Sequence, residues 1–427
     1  MKGIIIHDSK FIGSELSSKV TVHKSLRKYF KSFIFRSNYS SRIIANPSIL
    51  NIPLLSTVLP LAWLTGTDIY VEELDKTYKD TMGALKLVFK RWYPEAPFNT
   101  NIFCDRLVEN KIECKNPDEH TALLFSGGVD STYSLIKNIH LKPQLIMIGG
   151  LEGSAPYLVF WEKVRKIYSK FAERQGVTFH YVESNARNIL NENRITHKFH
   201  KPLRDGELWE RISLPLVLLG LTAPLSIGRF DGLLIASSCH PTYPYHKHPY
   251  ASQPCTDEKI AWADLHVKHD GYVKRIGKIL MIRKYLRNNK LTLRVCLSQH
   301  KKLNCSVCLK CLRTISALAF AGINPNECGF EVNRSTFILM KSLIERKKLD
   351  EFSIETNWKD LQNMTPNKIE NDLYGSKAFF EWFKKCNLNL AQERLDVYKR
   401  IYYKLPYHIA RALDVIIYGA MGVGIHK

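Results

Sequence analysis

The chain has 427 residues, 45% hydrophobic and 24% charged, a balance ordinary for a globular protein that excludes a low-complexity or disordered polymer. Lys and Arg outnumber Asp and Glu by 62 to 40, and the formal charge of +22 favours anionic partners: nucleotide, nucleic acid or an acidic protein. The longest apolar run, 54–64, contains Pro60 and is too short to cross a bilayer, and residues 1–7 lack the core of a signal peptide. The expectation is a cytoplasmic protein with no transmembrane segment.

Residues 1–116 are expected to form a mixed α+β N-terminal domain. Segments 20–22, 43–45 and 68–71 read as strands, broken by Pro47, Pro53 and Pro60. Over 76–92 the residues Tyr78, Met82, Leu85, Val88 and Trp92 recur at helical spacing. The basic group Lys24, Arg27, Lys28 and Lys31 reads as a solvated helix face, and no chemistry is evident in this region.

From residue 117 to 327 the pattern alternates strand and helix. Strands are expected at 122–125, 145–148, 177–182 and 233–236, with helices at 131–139, 156–174 and 208–227. Such alternation predicts an α/β fold on a doubly wound parallel sheet, with ligands at the carboxyl ends of the strands. Ser126, Gly127, Gly128, Val129, Asp130 and Ser131 follow the first of these strands directly, and Gly149 ends the second. Adjacent glycines let main-chain N–H groups approach an anion, and the helix that follows adds its own unpaired amides. The loop is not a Walker A loop, because no Gly-Lys-Ser/Thr follows. Segment 239–271 reads as a loop rich in His, Pro and Tyr, with Asp257, Glu258 and Asp264 as candidates to position a base or a magnesium ion. A basic helix at 274–288 places Arg275 and Lys278 where they can face one way.

Cys296-x8-Cys305-x2-Cys308-x2-Cys311 is the second strong motif. Four thiolates satisfy tetrahedral zinc and leave no open position, so the metal is expected to be structural; an iron–sulfur cluster also uses four cysteines. Lys301, Lys302, Lys310 and Arg313 would offset the charge of such a centre. Residues 328–427 read as a helical C-terminal extension anchored by Trp358, Phe379, Phe380, Trp382 and Phe383. Its aromatic and basic tail is expected to pack on its own domain.

The order Ser-Gly-Gly-x-Asp-Ser after an apolar strand resembles the PP-loop of the N-type ATP pyrophosphatases, an adenine nucleotide alpha hydrolase-like fold. With the cysteine motif downstream, and with Cys311-Leu312-Arg313 and Ala321-Gly322-Ile323-Asn324-Pro325, residues 120–325 resemble the 7-cyano-7-deazaguanine synthase family of queuosine biosynthesis. Asn324 stands where that family has Asp, and the segment after the fourth strand is longer than the family's. The resemblance implies an ATP-dependent ligase that adenylates a carboxylate, releases pyrophosphate and lets ammonia displace AMP. It implies that Phe125, Ser126, Gly127, Gly128, Val129, Asp130, Ser131 and Gly149 hold ATP and magnesium. Asp130, Ser131 and Lys278 would be catalytic, while Cys296, Cys305, Cys308 and Cys311 would hold zinc. The substrate would be a small carboxylate such as a 7-deazaguanine, with a protein or nucleic acid as a further acceptor; the sequence leaves the oligomeric state open, a homodimer being one option. Two other readings are a PP-loop tRNA-thiolating enzyme and a zinc-stabilised nucleic-acid-binding protein with a vestigial nucleotide site.

Overall fold

Eleven strands form one sheet: β1 (Gly3–Ile6), β2 (Lys10–Ile12), β3 (Glu15–Val22), β4 (Ile34–Tyr39), β5 (Asp68–Asp75), β6 (Ile102–Val108), β7 (Thr121–Leu124), β8 (Gln144–Gly149), β9 (Phe179–Ser184), β10 (Gly232–Ala236) and β11 (His266–Asp270). The structure is a computed structural model and describes residues 3–151, 158–243, 245, 249–289, 291–296, 302–349, 351–365, 372–391 and 401–412. The strand order is β11-β10-β7-β8-β9-β4-β3-β1-β5-β6, with β2 paired only to β3. All pairings from β11 to β9 are parallel, as are β1–β5 and β5–β6, whereas β4–β9, β3–β4, β1–β3 and β2–β3 are antiparallel. The architecture is therefore α/β with a mostly parallel central sheet. The β4–β9 ladder, Ser37 opposite Ser184 and Tyr39 opposite Val182, joins the N-terminal strands to the parallel half.

Side chains alternate across the pleat and build two cores. Ala122, Ile146, Val182, Leu233 and Ile235 face one core, shared with the N-terminal region and the helices Ile52–Thr65 and Leu214–Gly220. Leu123, Phe125, Leu145, Met147 and Leu234 face the other, covered by the helices Val129–Lys137, Leu158–Gln175, Arg275–Asn288 and Leu309–Phe320 and by the C-terminal helices.

Four expectations need correction. Segment 43–45 is irregular, because Pro47 opens a short helix directly after it. Pro53 and Pro60 do not break strands: they lie in the helix Ile52–Thr65, whose residues 52–64 are all buried. An apolar surface on every side demands burial, and the missing proline N–H costs least in the first turn, where Pro53 sits. The single helix expected at 208–227 is three helical pieces: Trp209–Ser213, Leu214–Gly220 and Ala223–Ser226. Pro224 opens the last of them. Finally, β11 lies inside what reads as a loop at 239–271; its sequence His-Val-Lys-His-Asp hides the strand, and pairing with β10 supplies it. The predicted helix at 76–92 coincides with Lys76–Trp92, capped by the Asp75 carboxylate, which accepts from the Tyr78 N–H at 2.8 Å.

The described part of the tail departs from expectation: it packs not on the C-terminal region but on residues 191–200. Tyr402, Tyr403 and Tyr407 pack around His197, and the Tyr403 ring stacks on His200 at 4.1 Å. Among the described residues no helix is long and apolar enough to cross a membrane.

Candidate functional site

Strands β7, β8 and β9 step outward in one direction, and β10 returns to the other side of β7. The carboxyl end of β7 is thus a topological switch point, where diverging connections leave a crevice. The glycine loop sits there. Gly127 has φ +75°, and a Cβ on it would meet the Tyr168 ring at 2.2 Å, so both the backbone and the neighbour demand glycine. Gly128 precedes the helix Val129–Lys137. Its N–H donates to Ser126 Oγ at 3.3 Å, and the Ser126 N–H donates to Ser131 Oγ at 3.3 Å. The first-turn amides of Val129, Asp130 and Ser131 have no place in the helix's own ladder. Ser126 is exposed and Gly128 half-buried, so the turn reaches the surface at these two residues, while Gly127, Val129 and Ser131 are buried.

The named residues divide by role. Phe125 and Val129 are fully buried core side chains and can offer a ligand only their backbone. Ser131 is buried and braces the turn, its hydroxyl donating to the Gly128 carbonyl at 3.3 Å. Asp130 is the centre of charge: Arg275 Nη2 donates to its Oδ2 at 2.6 Å and Lys278 Nζ to its Oδ1 at 2.8 Å. Lys278 is buried and also donates to the Ser237 carbonyl at the end of β10. One helical turn separates Arg275 from Lys278, so both reach the same carboxylate. Burial pushes the Asp130 carboxyl up, but the Arg275 and Lys278 charges outweigh it and hold the group below its ordinary range. Two cations on one carboxylate leave a positive excess beside the loop.

Both Asp130 oxygens are engaged by cations, which does not fit direct coordination of magnesium by this carboxylate. The other acidic candidates are committed as well. Asp257 Oδ2 accepts from His269 Nδ1 at 2.6 Å and from Ser252 Oγ at 2.7 Å, deep in the protein, and burial raises its pKa. Glu258 accepts from the His269 N–H at 3.2 Å, and Asp264 accepts from the Ile112 N–H at 2.7 Å, tying the N-terminal region down. Gly149 ends β8 as expected, but Tyr181 explains it: a Cβ there would meet the phenol oxygen at 2.2 Å.

Sequence reasoning missed the support behind the loop. The Arg294 N–H donates to the Gly127 carbonyl at 2.8 Å, and its guanidinium lies 4.7 Å from the centre of the Trp161 ring. The Tyr168 hydroxyl donates to the Thr292 carbonyl at 2.9 Å. No spacing signals an arginine more than 160 residues from the loop it holds.

The four cysteines converge. Their sulfurs all lie within 4.8 Å of one another, with Cys296 to Cys308 and Cys305 to Cys311 both 3.9 Å. A tetrahedron of Zn–S bonds of about 2.3 Å has edges of about 3.8 Å, so the set fits zinc. The Cys308 N–H donates to Cys305 Sγ at 3.3 Å, the kind of outer contact that steadies a thiolate ligand. Asn304 fixes the frame: its Oδ1 accepts from the Val295 and Cys296 N–H groups, and its Nδ2 donates to the Leu293 and Gly329 carbonyls. Lys302 pairs with Glu331 at 2.6 Å, while the Arg313 charge acts on Asp130; Lys301 lies outside the described residues. Comparison with protein-family models, with curated proteins and with solved structures found no match.

Proposed function

We propose that the chain is an AMP-forming ligase that binds ATP at residues 126–131 and transfers the adenylyl group to a small carboxylate. The observation that carries this reading is a glycine turn at the switch point of a parallel sheet, backed by the half-buried Arg275 and the buried Lys278 on Asp130. A carboxylate oxygen of the substrate attacks the α-phosphorus as the bond to the bridging oxygen breaks, and pyrophosphate leaves. The loop amides hold the leaving pyrophosphate, and the fixed cations offset the charge that builds on it, a preorganised arrangement needing no rearrangement during reaction. An amine, ammonia or one on a larger acceptor, then displaces AMP from the acyl adenylate. The similarity to the deazaguanine enzymes makes a 7-deazaguanine carboxylate the first substrate to try. Zinc on the four cysteines serves as a structural brace for the covering half of the site.

A thiolating enzyme needs a reactive thiolate beside the loop. Cys239 follows β10 next to Ser237, yet it is buried, and burial pushes its thiol up to about 12, which disfavours that role. Incubation with ATP labelled at the α-phosphate tests the reading: labelled AMP is expected, and ADP as the main product would overturn it.

A further inference from the structure

The C-terminal segment forms one wall of a small cavity that the nucleotide loop does not use. Thr356, Trp358, Asp360 and Leu361 face Arg275 and Arg313 across an interior of ≈ 20 Å³. This holds about one water-sized group. Asp360 Oδ1 accepts from Lys274 Nζ at 2.5 Å, so the segment is fastened to the residue just before Arg275. Trp358 Nε1 and Asp360 Oδ2 are among the polar atoms buried here without a hydrogen-bond partner. Trp358 is 2% exposed and Asp360 9%. Leaving a buried donor and a buried acceptor unmatched is costly, and the cost is recovered when a ligand matches both.

The chemistry of that match is restricted. The indole N–H only donates and the carboxylate only accepts, so the ligand group must accept from one and donate to the other. A cation would suit Asp360 but meet the Arg275 and Arg313 guanidiniums. A carboxylate would suit the arginines but face the Asp360 oxygen. A neutral group with both functions satisfies every wall.

We propose that the cavity between Trp358, Asp360, Arg275 and Arg313 is a recognition subsite, supplied by the C-terminal segment, for a neutral hydroxyl. Arg275 links it to Asp130, so the recognised group sits one guanidinium away from the glycine loop. The subsite concerns binding only and stands whether or not the loop splits ATP.

The test uses the full-length protein labelled with ¹⁵N at tryptophan, without ATP, with the Trp358 indole signal assigned by Trp358→Phe. Titration with methanol presents the hydroxyl; acetate is the control. The Trp358 signal is expected to shift saturably with methanol and not with acetate. Asp360→Asn, which adds a donor and removes the charge, is expected to weaken the neutral probe at least tenfold and to admit acetate. A Trp358 signal unmoved by methanol, or moved equally by acetate, would overturn the proposal and leave a bridging water as the occupant. Should Asp360→Asn unfold the protein, the wild-type titration alone decides.

Discussion

The two faces of the parallel strands are built on different principles. The face shared with the N-terminal region is mainly apolar, its buried polar groups paired with one another as His180 is with Gln144 and Asp257 with His269: the helix Ile52–Thr65 lies buried against Leu214–Gly220, so close that a Cβ on Gly220 would meet Ser56 Oγ at 2.2 Å. The opposite face carries ions under cover, with Asp130, Lys278 and Arg275 fixed in mutual contact and four cysteines gathered nearby. One face stabilises by area removed from water, which tolerates substitutions that keep volume. The other depends on particular partners, because a buried charge that loses its counter-ion has nothing else to pair with. Chemistry is therefore expected on the second face and only packing on the first.

Removing the metal should have the largest effect. Metal analysis should find about one zinc per chain; Cys311→Ser should lose it and unfold the half of the core around Leu312 and Ile315, read as lost near-UV circular dichroism. Asp130→Asn comes next. It leaves Arg275 and Lys278 without their carboxylate, so denaturant unfolding should show a loss of about 3 to 5 kcal/mol. AMP formation should fall at least about a hundredfold. Gly220→Ala sharpens the contrast from the apolar side: a loss of about 1 to 3 kcal/mol in the same assay, with AMP formation by the folded fraction unchanged. Comparable loss of turnover there would erase the distinction between the faces.

A smaller effect separates two glycines. Gly127→Ala meets the Tyr168 ring and should cost stability and nucleotide binding together, measured by unfolding and by ATP titration. Gly176→Ala, at φ +65° with nothing within 4 Å of the added carbon, should cost about 1 kcal/mol and leave binding intact.

The junction of the two halves should respond to pH. His180 is buried, its Nε2 2.8 Å from Gln144 Oε1 and its Nδ1 2.7 Å from Ser41 Oγ. Burial, with a smaller contribution from the Arg229 charge, lowers its pKa to about 4 from an ordinary 6.5. A histidine kept neutral in the fold binds fewer protons there than in the unfolded chain. Its contribution is therefore complete above pH 6.5 and declines as pH falls toward 4, by about 3 kcal/mol in all. Urea unfolding at a series of pH values should show that slope, and His180→Asn should flatten it.

Residue types and their spacing revealed the strand–helix alternation, the Ser-Gly-Gly-x-Asp-Ser turn and the cysteine set, because each depends on neighbours a few positions apart. The same locality made Lys76–Trp92 readable from its apolar period and left Ile52–Thr65 unread, since an all-apolar helix has no stripe to betray it. Local sequence also placed Arg275 and Lys278 on one helix face, but the carboxylate they share lies nearly 150 residues earlier in the chain. Only the tertiary structure brought Arg294 behind the loop, paired Asp257 with His269, and set Trp358 and Asp360 against Arg275. Such contacts join distant segments through packing, and packing leaves no period in a sequence for a reader to find.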